Sequence, residues 1–246
     1  MKNSGKALLA ALRLIGLAFA VLLALLAAAF LGRIIAFAAF RLFRLPFGLD
    51  VAFQGMPDCL IWVLISLWVL FAAFTFYFFR DPDPLVPTAA NLVISPGHGK
   101  VDAIDMVNEP EFMGGECQRI SIFLSVINVH VQCAPVAGRV ASFKHTPGQY
   151  LSALKAESAQ FNENVLIGLD AAEPRGEKIG VRLIAGVIAR RIVPWIREND
   201  IVQRGERISL IQFGSRVDVY LPRRAKIVAK LGDKVVGGET AIASFD

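Results

Sequence analysis

The feature that most constrains this chain is a run without any charge from Leu60 to Phe79, LIWVLISLWVLFAAFTFYFF. About 20 apolar residues in a helix cross the hydrocarbon core of a bilayer, and Trp62, Trp68 and Tyr77 can act as interfacial aromatics. The mean hydropathy of +0.53 and the charged fraction of 19% also depart from water-soluble domains, in which about a quarter of the residues are charged. The sequence therefore predicts a transmembrane helix over residues 60–79.

A second apolar run extends from Ala7 to Leu31 and is interrupted only by Arg13. It predicts another transmembrane helix over about residues 7–31, so that residues 1–79 form a membrane anchor. A cleaved signal peptide is the alternative, because Lys2 and Lys6 precede the run, although the run exceeds the usual apolar region of about 7–15 residues.

Between these two runs, the segment from Ile34 to Phe47 carries Arg41 and Arg44 among aromatic residues. This segment is either an amphipathic piece lying in the membrane interface or an extension of the first helix. The basic residues give opposing indications of orientation, because Lys2 and Lys6 favour a cytoplasmic N-terminus whereas the loop arginines favour the reverse. We expect both chain ends, and the domain that follows, on the cytoplasmic side of a bacterial inner membrane.

The net charge of +5 is concentrated in the predicted anchor, where six basic residues face two acidic ones. Residues 80–246 are close to neutral, whereas a nucleic-acid-binding domain would carry a basic excess on its folded surface. Basic residues beside apolar runs instead favour anionic lipid headgroups. The partner we expect is therefore the membrane and not a nucleic acid.

The second predicted helix gives way to Arg80-Asp81-Pro82-Asp83-Pro84, in which two prolines disfavour helix. Residues 80–246 are therefore predicted to form a separate domain. Short β-like runs alternate there with Gly and Pro turns, a spacing typical of mainly β folds. We expect a barrel or sandwich-like domain with one minor helix over Leu151 to Asn164. The predicted strands lie at residues 91–95, 100–104, 119–129, 138–143, 180–192, 208–213, 217–221 and 226–230.

Composition and spacing alone support little chemistry in this domain. The three histidines have no HxH or HExxH spacing, and the three cysteines form no CxxC pair. We therefore expect neither a metal site nor a disulfide framework. No G-x-S-x-G motif and no phosphate-binding P-loop motif occurs.

Several short motifs occur in a distinctive order. They are Phe78-Phe79-Arg80-Asp81-Pro82, Ser95-Pro96-Gly97-His98-Gly99, Asn128-Val129-His130-Val131, Ala134-Pro135-Val136-Ala137-Gly138, Asn162-Glu163-Asn164, Ile184-Ala185-Gly186 and Phe213-Gly214-Ser215-Arg216-Val217-Asp218. This ordered set resembles the shorter form of phosphatidylserine decarboxylase, over roughly residues 76–246.

The resemblance implies a proenzyme that cuts itself between Gly214 and Ser215. In this family the serine hydroxyl attacks the preceding carbonyl, and elimination from the resulting ester leaves a covalent pyruvoyl group in place of the serine. The products would be a β chain of residues 1–214 and an α chain of residues 215–246, which remain associated. The pyruvoyl carbonyl would form a Schiff base with the amine of phosphatidylserine, and loss of CO₂ would give phosphatidylethanolamine.

The resemblance also assigns roles to two histidines. His130 matches the catalytic histidine, which would donate the proton to the product and position the substrate carboxylate. His98 stands where the better-known motif Ser-Pro-Ala-Asp-Gly has its aspartate, and is either the base that activates Ser215 or a turn histidine. Cys133 stands where longer family members have a second histidine, and Asp218 is expected to serve a turn.

Two other functions remain open from the residues. One is a non-catalytic, membrane-tethered barrel-sandwich adaptor, favoured by the turn LGDKVVGGE at residues 231–239. The other is an inactive relative of the family, in which Gly214-Ser215 is an ordinary turn. The sequence leaves association into a homo-oligomer undecided.

Overall fold

The structure is a computed structural model, and it describes residues 3–43, 58–152, 161–186, 191–212 and 215–246. Two long helices come first, α1 over Lys6–Phe43 and α2 over Asp58–Phe78. Both are long and apolar enough to cross a membrane, within Lys6–Ile35 and Cys59–Phe78. At 1.5 Å per residue, α1 is about 57 Å long, which exceeds the roughly 30 Å core of a bilayer.

The first helix runs past the predicted boundary at Leu31 as far as Phe43. The segment from Ile34 onward is therefore an extension of α1 up to this residue, and residues 44–47 lie outside the described residues. Arginine, alanine and leucine all have high helix propensity, so Arg33 and Arg41 do not interrupt the helix.

Contacts divide the chain into two compact units. One comprises Leu8–Tyr77, and the other comprises Met1–Ala7 together with Phe78–Asp246. Strands are the main regular structure of the second unit, which confirms the prediction of a mainly β fold preceded by apolar helices. Its strands are β1 Leu92–Ile94, β2 Gly99–Glu109, β3 Gly115–Leu124, β4 Val131–Cys133, β5 Ala137–Thr146, β6 Asn164–Glu173, β7 Lys178–Ala185, β8 Ile192–Pro194, β9 Ile201–Val202, β10 Arg207–Ile211, β11 Ser215–Leu221, β12 Lys226–Ile227, β13 Lys234–Val235 and β14 Ala241–Ser244.

These strands form one large and two small antiparallel sheets. The eight-stranded sheet has the order β13-β2-β3-β11-β7-β6-β5-β9, and the two three-stranded sheets have the orders β4-β10-β8 and β1-β14-β12. The core lies against one face of β11, where Val217, Val219 and Leu221 are fully buried. Side chains alternate along a strand, so Arg216, Asp218 and Tyr220 point to the opposite face.

Two local predictions differ from the structure. Asp218 lies in the middle of β11 and serves no turn, because it pairs with both neighbouring strands. The helix predicted over Leu151 to Asn164 is wrong at its described ends. Asn162 forms a bridge with Gln149 and Asn164 begins β6, whereas residues 153–160 lie outside the described residues.

Candidate active site

Three chain connections join neighbouring strands of the eight-stranded sheet to the three-stranded sheet β4-β10-β8. Residues 125–130 join β3 to β4, residues 186–191 join β7 to β8, and residues 212–214 join β10 to β11. The order β3-β11-β7 in the large sheet matches the order β4-β10-β8 in the small one. The ends of the three connections are consequently neighbours, and β10 and β11 are the central strands of these two sets of three.

Ser215 is the first residue of β11 and lies opposite Leu124 of β3 and Ala185 of β7. Its side chain is completely buried, and its Oγ has no hydrogen-bond partner among the described residues. A buried hydroxyl without a partner is costly, and in a native protein it calls for an explanation. Gly214, the predicted cleavage partner, lies outside the described residues.

His130 ends the connection between β3 and β4 and is also completely buried. The backbone N–H of Ile211 donates to the carbonyl of His130 over 3.2 Å, so this histidine lies beside the end of the strand that leads to Ser215. The Nδ1 atom of His130 lies 2.9 Å from the carbonyl oxygen of Asn128. A carbonyl oxygen only accepts, so Nδ1 carries the proton and Nε2 is the nitrogen that can accept one.

Burial lowers the pKa of His130 to about 4, because desolvation disfavours the imidazolium, and the hydrogen bond to the Asn128 carbonyl opposes this only in part. The ring is therefore neutral near pH 7. The backbone carbonyl of His130 also accepts a 2.6 Å hydrogen bond from the Gln132 side chain, which in turn accepts from Ser209 over 2.7 Å. This network fixes the backbone on both sides of the histidine.

His98 lies in the turn between β1 and β2. The preceding residue, Gly97, lies against Leu124 and Val217, where an added Cβ would find its nearest side-chain atoms at 3.5 and 3.7 Å. Because Leu124 is opposite Ser215, this turn lies against the start of β11. Burial lowers the pKa of His98, and the nearby charge of Arg80 lowers it further, whereas Glu239 opposes both.

The remaining candidates behave differently. Burial raises the pKa of the Cys133 thiol to about 12, so this residue stays protonated near pH 7. Burial also raises the pKa of Asp218, although Arg119 lies 3.8 Å away and favours the carboxylate. Asp218 belongs to the face of β11 opposite Ser215, so the structure does not bring these two side chains together.

Sequence reasoning assigned no role to Asn162, which the structure places beside the site. Its Nδ2 atom donates to the carbonyl of Ala185 over 2.7 Å, and its Oδ1 atom accepts from the backbone of Leu151 over 2.8 Å. The side chain thus ties a neighbouring loop to the residue opposite Ser215. The only signal in the sequence was the position of Asn162 within the ordered motifs.

Comparison with known proteins gives a consistent result. The family model for phosphatidylserine decarboxylase matches residues 71–243. Three similar proteins are each named phosphatidylserine decarboxylase proenzyme. That of Desulfotalea psychrophila is 45% identical over 74% of this chain and 85% of its own length. Those of Syntrophus aciditrophicus and Symbiobacterium thermophilum are 37% and 39% identical, over 79% and 80% of this chain and 97% and 91% of their own lengths. These matches do not favour the adaptor hypothesis.

Proposed function

The chain belongs to the phosphatidylserine decarboxylase family, and we propose that it converts phosphatidylserine into phosphatidylethanolamine and CO₂ through a pyruvoyl group made from its own Ser215. The observation that carries this proposal is the buried Ser215 hydroxyl, which has no partner among the described residues and begins a central strand. We also propose that the reaction takes place at the cytoplasmic face of the inner membrane, because α1 and α2 are long and apolar enough to anchor the chain there.

The residues at this position fit a pyruvoyl group. Its ketone carbon would derive from Cα of Ser215 and its methyl carbon from Cβ, so the group would occupy the buried position opposite Leu124 and Ala185. When present, the group supplies an electrophilic carbonyl that takes up the substrate amine and draws electrons away as CO₂ leaves.

The chain would make this group in balanced steps. The Ser215 hydroxyl loses its proton and attacks the carbonyl of Gly214, and the amide C–N bond breaks to leave an ester and a free amine on residue 215. Loss of the Cα proton of residue 215 then expels the carboxylate of Gly214. Addition of water and release of ammonia complete the pyruvoyl terminus. The hydroxyl needs a base to become a nucleophile, and we assign that role to His98.

His98 suits this role because its turn packs against the start of β11 and because its lowered pKa keeps the imidazole neutral near pH 7. A neutral imidazole can take a hydroxyl proton without an orienting carboxylate, though usually less well than with one. Cys133 is the less suitable base, since its thiol stays protonated.

His130 would act in the decarboxylation itself. Its Nδ1 proton is engaged with the Asn128 carbonyl, so in the neutral ring Nε2 is the nitrogen that can accept a proton. We infer that Nε2 first takes the proton that the substrate ammonium must lose, and then returns it to Cα of the substrate after CO₂ has left. His130 would thus be the expected proton donor, but only after its Nε2 atom has accepted a proton.

The experiment that tests the function is release of CO₂ from phosphatidylserine labelled in its carboxyl group, presented to the purified full-length protein in mixed micelles. We expect release by the wild type, none by Ser215→Ala, and loss of at least about 100-fold in kcat for His130→Gln. His145→Gln is the matched control, because His145 is exposed and lies on β5, which β6 and β7 separate from β11. An active Ser215→Ala protein would contradict the proposal.

A further inference from the structure

The segment that follows the second apolar helix lies directly on the candidate active site. Phe78 is the last residue of α2 and is completely buried. The centre of its ring is 4.3 Å from the centre of the His130 imidazole, and the two planes are inclined by 31°. This close, tilted contact between two aromatic rings constrains the plane of the smaller ring. The ring of Phe79 packs against the ring of Phe78 in an edge-to-face arrangement, with the two centres 5.0 Å apart.

Arg80 binds the connection of residues 125–130, which ends at His130. Its Nη2 atom donates a 2.6 Å hydrogen bond to the carbonyl of Ile127. The next residue, Asn128, supplies the carbonyl that fixes the tautomer of His130, and its own side chain closes a turn by accepting from the N–H of Ser125 over 2.9 Å. A charge-assisted hydrogen bond from the guanidinium therefore anchors the peptide beside the one that binds the imidazole.

The segment also reaches the strand that leads to Ser215. Arg207, at the start of β10, is fully buried and donates to Asp81 over 2.7 Å and to Asp83 over 2.8 Å. Residues 78–83 thus contact both the His130 connection and β10. They form a strap that is fixed at several points.

We propose that Phe78 and Arg80 are positioning residues for His130, so that the exit of the second apolar helix is part of the catalytic machinery. The inference rests on the proposed decarboxylase function, because it concerns the orientation in which His130 exchanges a proton with the substrate. Phe78 sets the plane of the imidazole, and Arg80 sets the peptide that holds its Nδ1 proton. Neither residue needs to touch the substrate.

Two substitutions in the full-length protein test this inference. Phe78→Leu keeps an apolar side chain of similar size but removes the flat ring, and Arg80→Gln removes the charge while leaving a donor. The matched control is Phe76→Leu, since Phe76 lies in the same helix but is 48% exposed. We expect both site variants to self-cleave, because Ser215 and His98 are retained. We expect their kcat for decarboxylation to fall about tenfold, with KM changed less than about twofold, whereas the control retains the wild-type values.

A second readout does not depend on activity. In the uncleavable Ser215→Ala background, ¹⁵N NMR of the histidine rings reports the tautomer and the titration of His130. We expect the Nδ1-protonated form in the parent, and a mixture of tautomers or a titration moved towards neutral pH after Phe78→Leu. Unchanged His130 signals together with an unchanged kcat would overturn the inference.

The two proposals can fail separately. A wild-type protein that neither self-cleaves nor releases CO₂ would refute the proposed function, while the NMR measurement would still report whether Phe78 and Arg80 orient His130. If Phe78→Leu does not yield folded protein, the kcat and NMR measurements on Arg80→Gln test the inference. Arg80 is partly exposed, so its replacement leaves the core intact. Parallel loss of self-cleavage, kcat and melting temperature in Arg80→Gln would indicate a structural role alone and would also overturn the inference.

Discussion

At the scale of single residues, His130 should leave a mark on the pH dependence of stability. Its pKa is about 4 in the folded protein and about 6.5 when exposed, so between these values the unfolded chain binds more protons. Stability is therefore complete above pH 6.5 and is lost as the pH falls towards 4, by about 3 kcal/mol. Thermal melting of Ser215→Ala in detergent should show this loss.

The control for that prediction is the double variant Ser215→Ala, His130→Gln, which removes the titrating group. Its melting temperature should fall less steeply between pH 6.5 and 4. Identical pH dependence in the two proteins would mean that His130 titrates at its ordinary pKa, and would contradict the account of a desolvated, neutral imidazole.

Gly97 and Gly99 flank His98, and the structure predicts different effects when each is replaced by alanine. An alanine Cβ at Gly97 would meet its nearest atom at 3.5 Å, an ordinary contact, whereas at Gly99 it would lie only 2.2 Å from the carbonyl oxygen of Phe123. Gly97→Ala should therefore self-cleave at the wild-type rate within about twofold, and Gly99→Ala should lose about 3 kcal/mol or more of stability. A time course of cleavage and a melting curve on each variant check this, and a damaging Gly97→Ala would refute the packing given for the turn.

The candidate site could be predicted from the sequence only in part. His98, His130 and Ser215 were identified by the order of short motifs, and not by any spacing that dictates chemistry. The contacts of Phe78 with His130 and of Arg80 with Ile127 join residues about 50 positions apart. No local pattern encodes such contacts, because they depend on which strands pair.

At the scale of elements, β11 explains how the chain could be cut without falling apart. All seven of its residues are buried, and it is hydrogen-bonded along its length to β3 and to β7. Cleavage before Ser215 would break one peptide bond at the end of the strand and leave this pairing in place. The small chain should therefore co-elute with the large one in size-exclusion chromatography in mild detergent, and should separate only in denaturant.

The secondary structure could be predicted best where the pattern is long and simple. The charge-free run of α2 and the general β character of the second unit followed from hydropathy and turn spacing. The end of α1 did not follow from hydropathy. The thickness of the bilayer limits the length of the apolar segment, whereas the helix itself can continue beyond the membrane. Asp218 was expected to serve a turn although it lies within the predicted strand 217–221, and in the structure Arg119, 3.8 Å from its carboxylate, partly offsets the cost of its burial.

At the scale of the whole molecule, we expect the strap of residues 78–83 to contribute to the folding stability of the second, mainly β unit. The guanidinium of Arg207 is 1% exposed and the carboxylate of Asp81 is 10% exposed, so removal of this partner leaves a buried charge poorly compensated. Asp81→Ala should cost about 3 kcal/mol. Asp83→Ala is the comparison and should cost far less, since its side chain is 77% exposed. Thermal melting of both variants in detergent tests this, and equal melting temperatures would contradict it.

Placement at the membrane would suit the proposed substrate. A diacyl lipid leaves the bilayer only at high cost, so a site at the depth of the headgroups would receive phosphatidylserine by lateral diffusion. The sequence could predict two apolar helices and a β domain. It could not predict the order of strands in the sheets, because strand pairing joins distant parts of the chain.

The most direct test of the central claim is an intact-mass spectrum of the full-length protein extracted from membranes, with Ser215→Ala alongside. The account predicts two chains for the wild type, divided between Gly214 and residue 215. The small chain should be about 17 Da lighter than a peptide that begins with serine, because ammonia is lost when the pyruvoyl terminus forms. The Ser215→Ala protein should remain one chain. A wild-type protein that also remains one uncut chain would contradict the account.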